Sequence, residues 1–242
     1  MKILSIGNSF SEDAQRWLHM IAEANGESLE CANLFIGGCS LQTHWINEKE
    51  NNAFYDYQVN GNDAKEKISI ADALKRDKWD IVTLQQVSGL SGIAESYEPY
   101  LGELLTVVRS ALPDAEIYLH QTWSYEIGSE HPDFVNYNKD RREMHSRIKQ
   151  TVQMYSEKYG LKILPSGDII NTLRENTAEF DYPNGGLSLC RDSFHLSYDY
   201  GRFAAGATWF VTLTDKKITY AVFEDFDKSL VKIISDTVNS LI

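Results

Sequence analysis

The sequence predicts an α/β fold: a three-layer α/β/α sandwich on a five-stranded parallel sheet, with a small β-hairpin inserted away from that sheet. Three observations predict it. Short apolar strand candidates alternate with helical segments five times, the pattern of a parallel sheet covered on both faces. Four features with chemical potential lie just past strand ends, at Ser9, Gly37-Gly38, Gln85-Gln86 and Trp123. Asn60-Gly61, the strongest short-range hairpin signal, lies between two short stretches in residues 54–69. No internal repeat, low-complexity segment or linker breaks the pattern, so the 242 residues read as one domain.

Each element has a local reason. Lys2-Ile3-Leu4-Ser5-Ile6 is a short apolar strand, and Gly7-Asn8-Ser9-Phe10-Ser11 is the turn after it. A helix is predicted over 11–25, with Ser11 as cap, Glu12 and Asp13 in the first turn, and Asn25-Gly26 at its end. Trp17, Leu18, Ile21 and Ala22 form its apolar stripe. Residues 28–35 are the second strand. The loop Ile36-Gly37-Gly38-Cys39-Ser40 and a helix from about Leu41 follow. Residues 70–77 are a short helix, and 80–84 a buried strand ending in Gln85-Gln86-Val87-Ser88-Gly89.

Helix 97–112 presents Leu101, Leu104, Leu105 and Val108 on one face and stops at Pro113. Strand 116–122 runs into Trp123-Ser124-Tyr125 and a polar loop through Asp133. Met144, Ile148, Val152, Tyr155 and Tyr159 give helix 134–159 its three-and-four spacing, and Gly160 ends it. Residues 161–164 are the fifth strand, and 166–175 are helical. Asn184-Gly185-Gly186 leads to Arg191-Asp192-Ser193-Phe194-His195-Leu196-Ser197. A helix over 198–214, a peripheral strand over 218–223 and a terminal helix over 227–241 complete the chain.

Composition bounds the function. With 43% hydrophobic and 24% charged residues the chain is of ordinary soluble globular type. A formal net charge of −12 and the lack of a Lys/Arg cluster argue against nucleic acid as partner. Cys31, Cys39 and Cys190 have neither metal-ligand spacing nor an even count, which argues against a disulfide framework or a zinc site. Cys39 and Cys190 lie near the two stretches assigned below to the site and read as two reduced thiols rather than a bridge. No window approaches a membrane span. The expected location is cytoplasmic if Met1 is the native start, and secreted or periplasmic if a signal has been removed.

In open parallel sheets, sites form at the carboxyl ends of the strands. Ser9 is therefore well placed, but a serine acts as nucleophile at neutral pH only with a base beside it, usually a histidine held by a carboxylate. His19, His131 and His145 read as packed or surface residues. His44 and His120, nearer the crevice, read as satisfied polar groups or substrate contacts. His195 differs, because Asp192 precedes it by three residues in one short loop. Helix capping is the bland account of Asp192; the serine after the first strand makes the pair specific.

On these residues the chain resembles the SGNH/GDSL hydrolases, over nearly its whole length. Gly7-Asn8-Ser9 matches the family's first block, with Asn8 in place of the name-giving aspartate, which is outside the triad. Residues 33–38 resemble the second block, whose glycine would be Gly38. Asp192-Ser193-Phe194-His195 matches the last block, with the Leu196 and Gly201 that commonly follow. The third block departs: Gln85-Gln86-Val87-Ser88 stands where the family has Gly-x-Asn-Asp. In overall flavour the chain resembles the SGNH-like branch whose members begin Ile-Gly-Asn-Ser-Phe-Ser.

The resemblance implies a flavodoxin-like SGNH hydrolase fold and a serine esterase needing no metal or organic cofactor. Ser9 would be nucleophile, His195 base and Asp192 its orienter. The Ser9 and Gly38 N–H groups would bind the oxyanion, with a Gln86 amide as third donor and Gln85 or Ser88 as alternatives. The expected substrate is a short-chain, foremost acetyl, ester, small or carried on carbohydrate, with Trp45, Tyr97–Tyr100, Trp123 and Tyr125 as candidate crevice aromatics. A longer-chain lipase or thioesterase, and a silent carbohydrate-binding protein on the same fold, are the alternatives.

Overall fold

A computed structural model of the chain describes residues 1–219, 223 and 225–241. Seven strands form one sheet: β1 (Lys2–Gly7), β2 (Glu30–Phe35), β3 (Tyr55–Val59), β4 (Asn62–Ile68), β5 (Ile81–Leu84), β6 (Glu116–His120) and β7 (Lys162–Leu164). Their order is β4-β3-β2-β1-β5-β6-β7. The five predicted strands are parallel neighbours, as expected. The sheet itself is mixed and seven-stranded rather than five-stranded, because the hairpin joins it instead of standing apart.

Strand β3 pairs antiparallel with β2, from Ala32 opposite Val59 to Phe35 opposite Asp56. An amide pair fixes this register: Asn33 Nδ2 donates to Gln58 Oε1 at 2.9 Å. The Asn60-Gly61 turn uses positive φ at both residues, 50° and 73°. Strand β4 is exposed along nearly all its length and carries Asp63, Lys65, Glu66 and Lys67, charges that discourage edge-to-edge association.

Helices cover both faces. On one lie α1 (Ser9–Gln15), α2 (Leu18–Ala24), α7 (Ser166–Asn176), α8 (Tyr200–Thr214) and α9 (Lys228–Asn239). On the other lie α3 (Leu41–Lys49), α4 (Ile70–Arg76), α5 (Tyr100–Ala111) and α6 (Arg141–Tyr159). Helix α8 is buried almost all round, with Phe203, Trp209 and Phe210 fully enclosed. Burying one such side chain is worth about 1.5–3 kcal/mol.

Two predicted helices are broken. The helix expected over 11–25 is two, α1 and α2, meeting at Arg16-Trp17, where the Trp17 indole N–H donates to Tyr198 O at 3.0 Å. The helix expected over 134–159 starts only at Arg141, since Asn138 and Lys139 adopt left-handed φ and Asp140 caps the N–H groups of Arg142 and Glu143. The peripheral strand expected over 218–223 falls partly outside the described residues. Among the described residues no helix is long and apolar enough to cross a membrane.

Candidate active site

The turn after β1 is tighter than its sequence suggests. A Cβ on Gly7 would lie 2.0 Å from Ser11 Oγ, so only glycine lets the chain bend here. Asn8, not Ser11, caps the helix. Its Oδ1 accepts from Phe10 N–H at 3.0 Å, and Ser11 Oγ at the third helical position accepts from Asn8 N–H at 3.0 Å. This reciprocal capping box corrects the expectation for Ser11. It leaves Ser9 as the first residue of α1, where a backbone N–H has no intrahelical acceptor.

The loop before α8 brings the other two residues to Ser9. Cys190 and Leu196 form an isolated antiparallel bridge, and Arg191 N–H donates to His195 O at 2.9 Å. Inside this closed loop Ser193 takes a φ of 72°, and the Trp123 indole N–H donates to Phe194 O at 2.7 Å. His195 Nε2 then lies 2.9 Å from Ser9 Oγ, and its Nδ1 lies 2.7 Å from Asp192 Oδ2. The carboxylate fixes the tautomer: Nδ1–H donates to Asp192, leaving the Nε2 lone pair for the serine hydroxyl. Asp192 Oδ1 also accepts the His195 backbone N–H at 2.8 Å. Burial pushes the Asp192 pKa up, but the hydrogen bonds from His195 outweigh it and hold the carboxyl below its usual range.

The other side of Ser9 is assembled from buried amides. Trp209 Nε1–H donates to Ser166 Oγ (3.1 Å), which donates to His120 Nε2 (2.9 Å). His120 Nδ1–H donates to Gln85 Oε1 (2.6 Å), Gln85 Nε2 to Asn8 Oδ1 (2.6 Å), and Asn8 Nδ2 to Cys39 O (3.0 Å). The series ends beside Gly38, whose φ of 66° is a backbone state suited to glycine. Burial lowers the His120 pKa to about 3, so the ring stays neutral in this network.

This arrangement corrects the expectation for Gln86. Its Nε2 donates to Ser96 O and Oγ, both at 3.0 Å, while Oε1 accepts from Leu41 N–H (3.0 Å) and Val87 N–H (2.9 Å). Every polar atom of the amide is committed to joining the β5 loop to the start of α3, so none is left for an oxyanion. Gln85 is likewise committed to Asn8 and His120. Of the three candidates only Ser88 lines the cleft, with its Oγ 2.9 Å from the Tyr125 hydroxyl.

The cleft at Ser9 has a volume of about 530 Å³. Phe10, Phe35, Val87 and Phe194 supply its apolar wall, and Glu12, His131, Asp133 and Arg191 its polar groups. The aromatics expected there are elsewhere: Trp123, Tyr125 and Tyr97 are core residues, and Trp45 and Tyr100 are half-buried away from the cleft. Trp123 acts one layer back, stacked on Phe10 at 4.2 Å. His44 and His120 are buried, not substrate contacts, whereas His131 lies in the wall. Glu12 was legible in principle, standing one helical turn beyond Ser9. Gln58 of the hairpin donates to its Oε1 at 2.8 Å, so the insertion braces a residue of the cleft wall from behind. The three cysteines are free thiols, each pushed by burial up to about 12.

Residues 2–232 match the family described as Domain of unknown function (DUF4886). The chain belongs to that family. A DUF4886 protein from Bacteroides uniformis ATCC 8492, with a crystal structure at 1.50 Å, is similar at 34% identity and a TM-score of 0.91, covering 99% of this chain and 93% of the other. More distant structures share the fold. One is a candidate SGNH hydrolase from Slackia heliotrinireducens (19% identity, TM-score 0.60, coverage 88% and 98%). Another is a catalytic mutant of an acetylxylan esterase from Geobacillus stearothermophilus (13% identity, TM-score 0.56, coverage 91% and 94%). A search of curated proteins finds no match. This DUF4886 chain therefore has the α/β fold of SGNH/GDSL hydrolases, with a mixed seven-stranded sheet at its centre.

Proposed function

We propose that this DUF4886 protein is a serine esterase that removes short acyl groups, foremost acetyl, from small or carbohydrate alcohols. One observation carries the reading: Ser9 Oγ, His195 Nε2 and Asp192 Oδ2 form one continuous hydrogen-bonded series, of which Ser9 and His195 line the cleft. In the proposed reaction Ser9 Oγ attacks the ester carbonyl carbon as its proton passes to His195 Nε2. Asp192 holds the imidazolium. The tetrahedral oxyanion is bound by the Ser9 and Gly38 N–H groups. Tyr125 donating to Ser88 leaves the Ser88 hydroxyl hydrogen for the oxyanion, a third donor in the role first expected of Gln86. The ester C–O bond then breaks, and His195 returns the proton to the departing alcohol. Water repeats the sequence on the acyl-enzyme and frees Ser9.

The substrate class follows from the cleft. Its apolar wall suits a short acyl group, and Glu12, His131, Asp133 and Arg191 offer hydroxyl-binding groups for the alcohol. The acetylxylan esterases that share the fold support the same class.

The test is hydrolysis of p-nitrophenyl acetate, butyrate and octanoate by wild type and Ser9→Ala. The expected result is a steep fall beyond the shortest chains and a loss of at least about a thousandfold in Ser9→Ala. Preference for octanoate would replace the short-acyl reading with a lipase or thioesterase. Equal rates in wild type and Ser9→Ala would leave a binding protein on an esterase fold.

A further inference from the structure

Asp13 lies one turn beyond Ser9 on the same short helix and is completely buried. By sequence it is one more first-turn carboxylate, yet it faces away from the helix terminus, toward the loop that carries Asp192 and His195. Arg191 Nη1 donates to its Oδ1 and Oδ2 at 3.0 and 3.2 Å. Leu196 N–H donates to Oδ2 at 2.9 Å, and Arg202 Nε–H of α8 to Oδ1 at 2.7 Å. Arg191 immediately precedes Asp192, and Leu196 immediately follows His195. The same Arg191 guanidinium reaches Leu196 O as well. One carboxylate thus grips both ends of the four residues that hold the acid–base pair, and it does so from the helix that begins with Ser9.

We propose that Asp13 is a positioning residue that sets the Ser9–His195 distance by fixing loop 191–196 to α1. The physical case is one of rigidity. His195 is only partly covered, with 21% of its side chain exposed, and Asp192 is 42% exposed, so packing alone does not hold the loop. The Trp123–Phe194 hydrogen bond holds its middle, and the charge-assisted bonds of the Arg191 guanidinium and the Leu196 N–H to Asp13 hold its two ends. Because Ser9 and Asp13 belong to one helix, shifts of α1 move nucleophile and loop together. A displacement of about 1 Å between reacting groups can cost about a hundredfold in rate. The role rests on the esterase reading for its catalytic consequence, but not for its structural one.

The test pairs Asp13→Asn with Arg202→Gln. The first loosens both ends of the loop; the second removes one guanidinium from the same carboxylate and leaves both ends held. For p-nitrophenyl acetate, Asp13→Asn should lose about a hundredfold in kcat with KM nearly unchanged, while Arg202→Gln, though also destabilised, should stay within about threefold in kcat. Equal kcat losses at equal loss of Tm would show a merely structural role and overturn the proposal, as would an unchanged kcat in Asp13→Asn. Should Asp13→Asn not fold, the double variant Asp13→Asn/Arg202→Gln, which also removes a positive charge, carries the same expectation. Should wild type prove inactive, amide exchange decides: Leu196 N–H must exchange faster in Asp13→Asn than in wild type. Unchanged protection would overturn the proposal independently of any activity.

Discussion

The two sides of Ser9 are made of different material. On one side is loop 190–197, short, charged and half in solvent, with the Asp192 side chain 42% exposed. On the other is the series Trp209, Ser166, His120, Gln85 and Asn8, in which no member is more than 2% exposed. In the proposed reaction the exposed side contains the groups that gain and lose a proton. The buried side contains fixed dipoles, each donor paired with one acceptor, ending at the loop that carries Gly38. That division is physically sensible. Proton transfer needs a histidine free to change charge. Oxyanion binding works best with donors held in place beforehand, so that nothing must reorganise as charge develops.

Variants on the two sides should therefore fail differently. The largest loss is expected on the exposed side: His195→Ala or Asp192→Asn should lower kcat by about 10³–10⁴ with Tm nearly unchanged, as steady-state kinetics and a thermal melt would show. Ser88→Ala, which removes the proposed third oxyanion donor, should lower kcat about a hundredfold, and an unchanged kcat would remove it from that role. Gln85→Leu strands the His120 Nδ1–H in the interior and removes one of the two donors to Asn8 Oδ1, which keeps Phe10 N–H. It should cost about 1–3 kcal/mol in denaturant unfolding, with a smaller, secondary loss of kcat as the Gly38 loop shifts. Gln86→Ala should cost stability of the same order and leave kcat within about threefold.

A pH titration of stability separates the two sides more gently. Burial lowers the His120 pKa to about 3 in the folded protein, from 6.5. Between these values the unfolded chain takes up a proton that the folded chain refuses, so stability falls as pH drops below about 6.5. His44, also lowered by burial to about 3, adds to the slope. His120→Asn retains an amide donor toward Gln85 and loses the titration. Its stability should depend less on pH between about pH 4 and 6, by at most about 1.4 kcal/mol per pH unit. An identical slope in wild type and variant would show that the ring is not held neutral.

The sequence made the exposed side legible because its signals are local. Asp192 and His195 share one loop, and Ser9 follows the first strand, so alternation of strands and helices was enough to bring them together. Gly38 came instead from the resemblance of residues 33–38 to the second block of the SGNH/GDSL hydrolases. The buried side depends on which side chain meets which across the sheet, and no spacing in the chain encodes that. Gln85 and Gln86 are adjacent and chemically identical, yet one points to Asn8 and the other to Ser96 and the start of α3. The hairpin follows the same rule. Asn60-Gly61 specified its own turn, whereas its pairing with β2 depends on Asn33 meeting Gln58, a contact between residues 25 apart.

The most direct measurement of the central claim is covalent capture of the nucleophile. Intact-mass analysis after exposure to a small fluorophosphonate should show a single phosphonyl adduct on wild type, mapping to Ser9. Labelling should be slowed about a thousandfold or more in His195→Ala and absent in Ser9→Ala. An unlabelled wild type, or equal labelling of wild type and Ser9→Ala, would contradict the account.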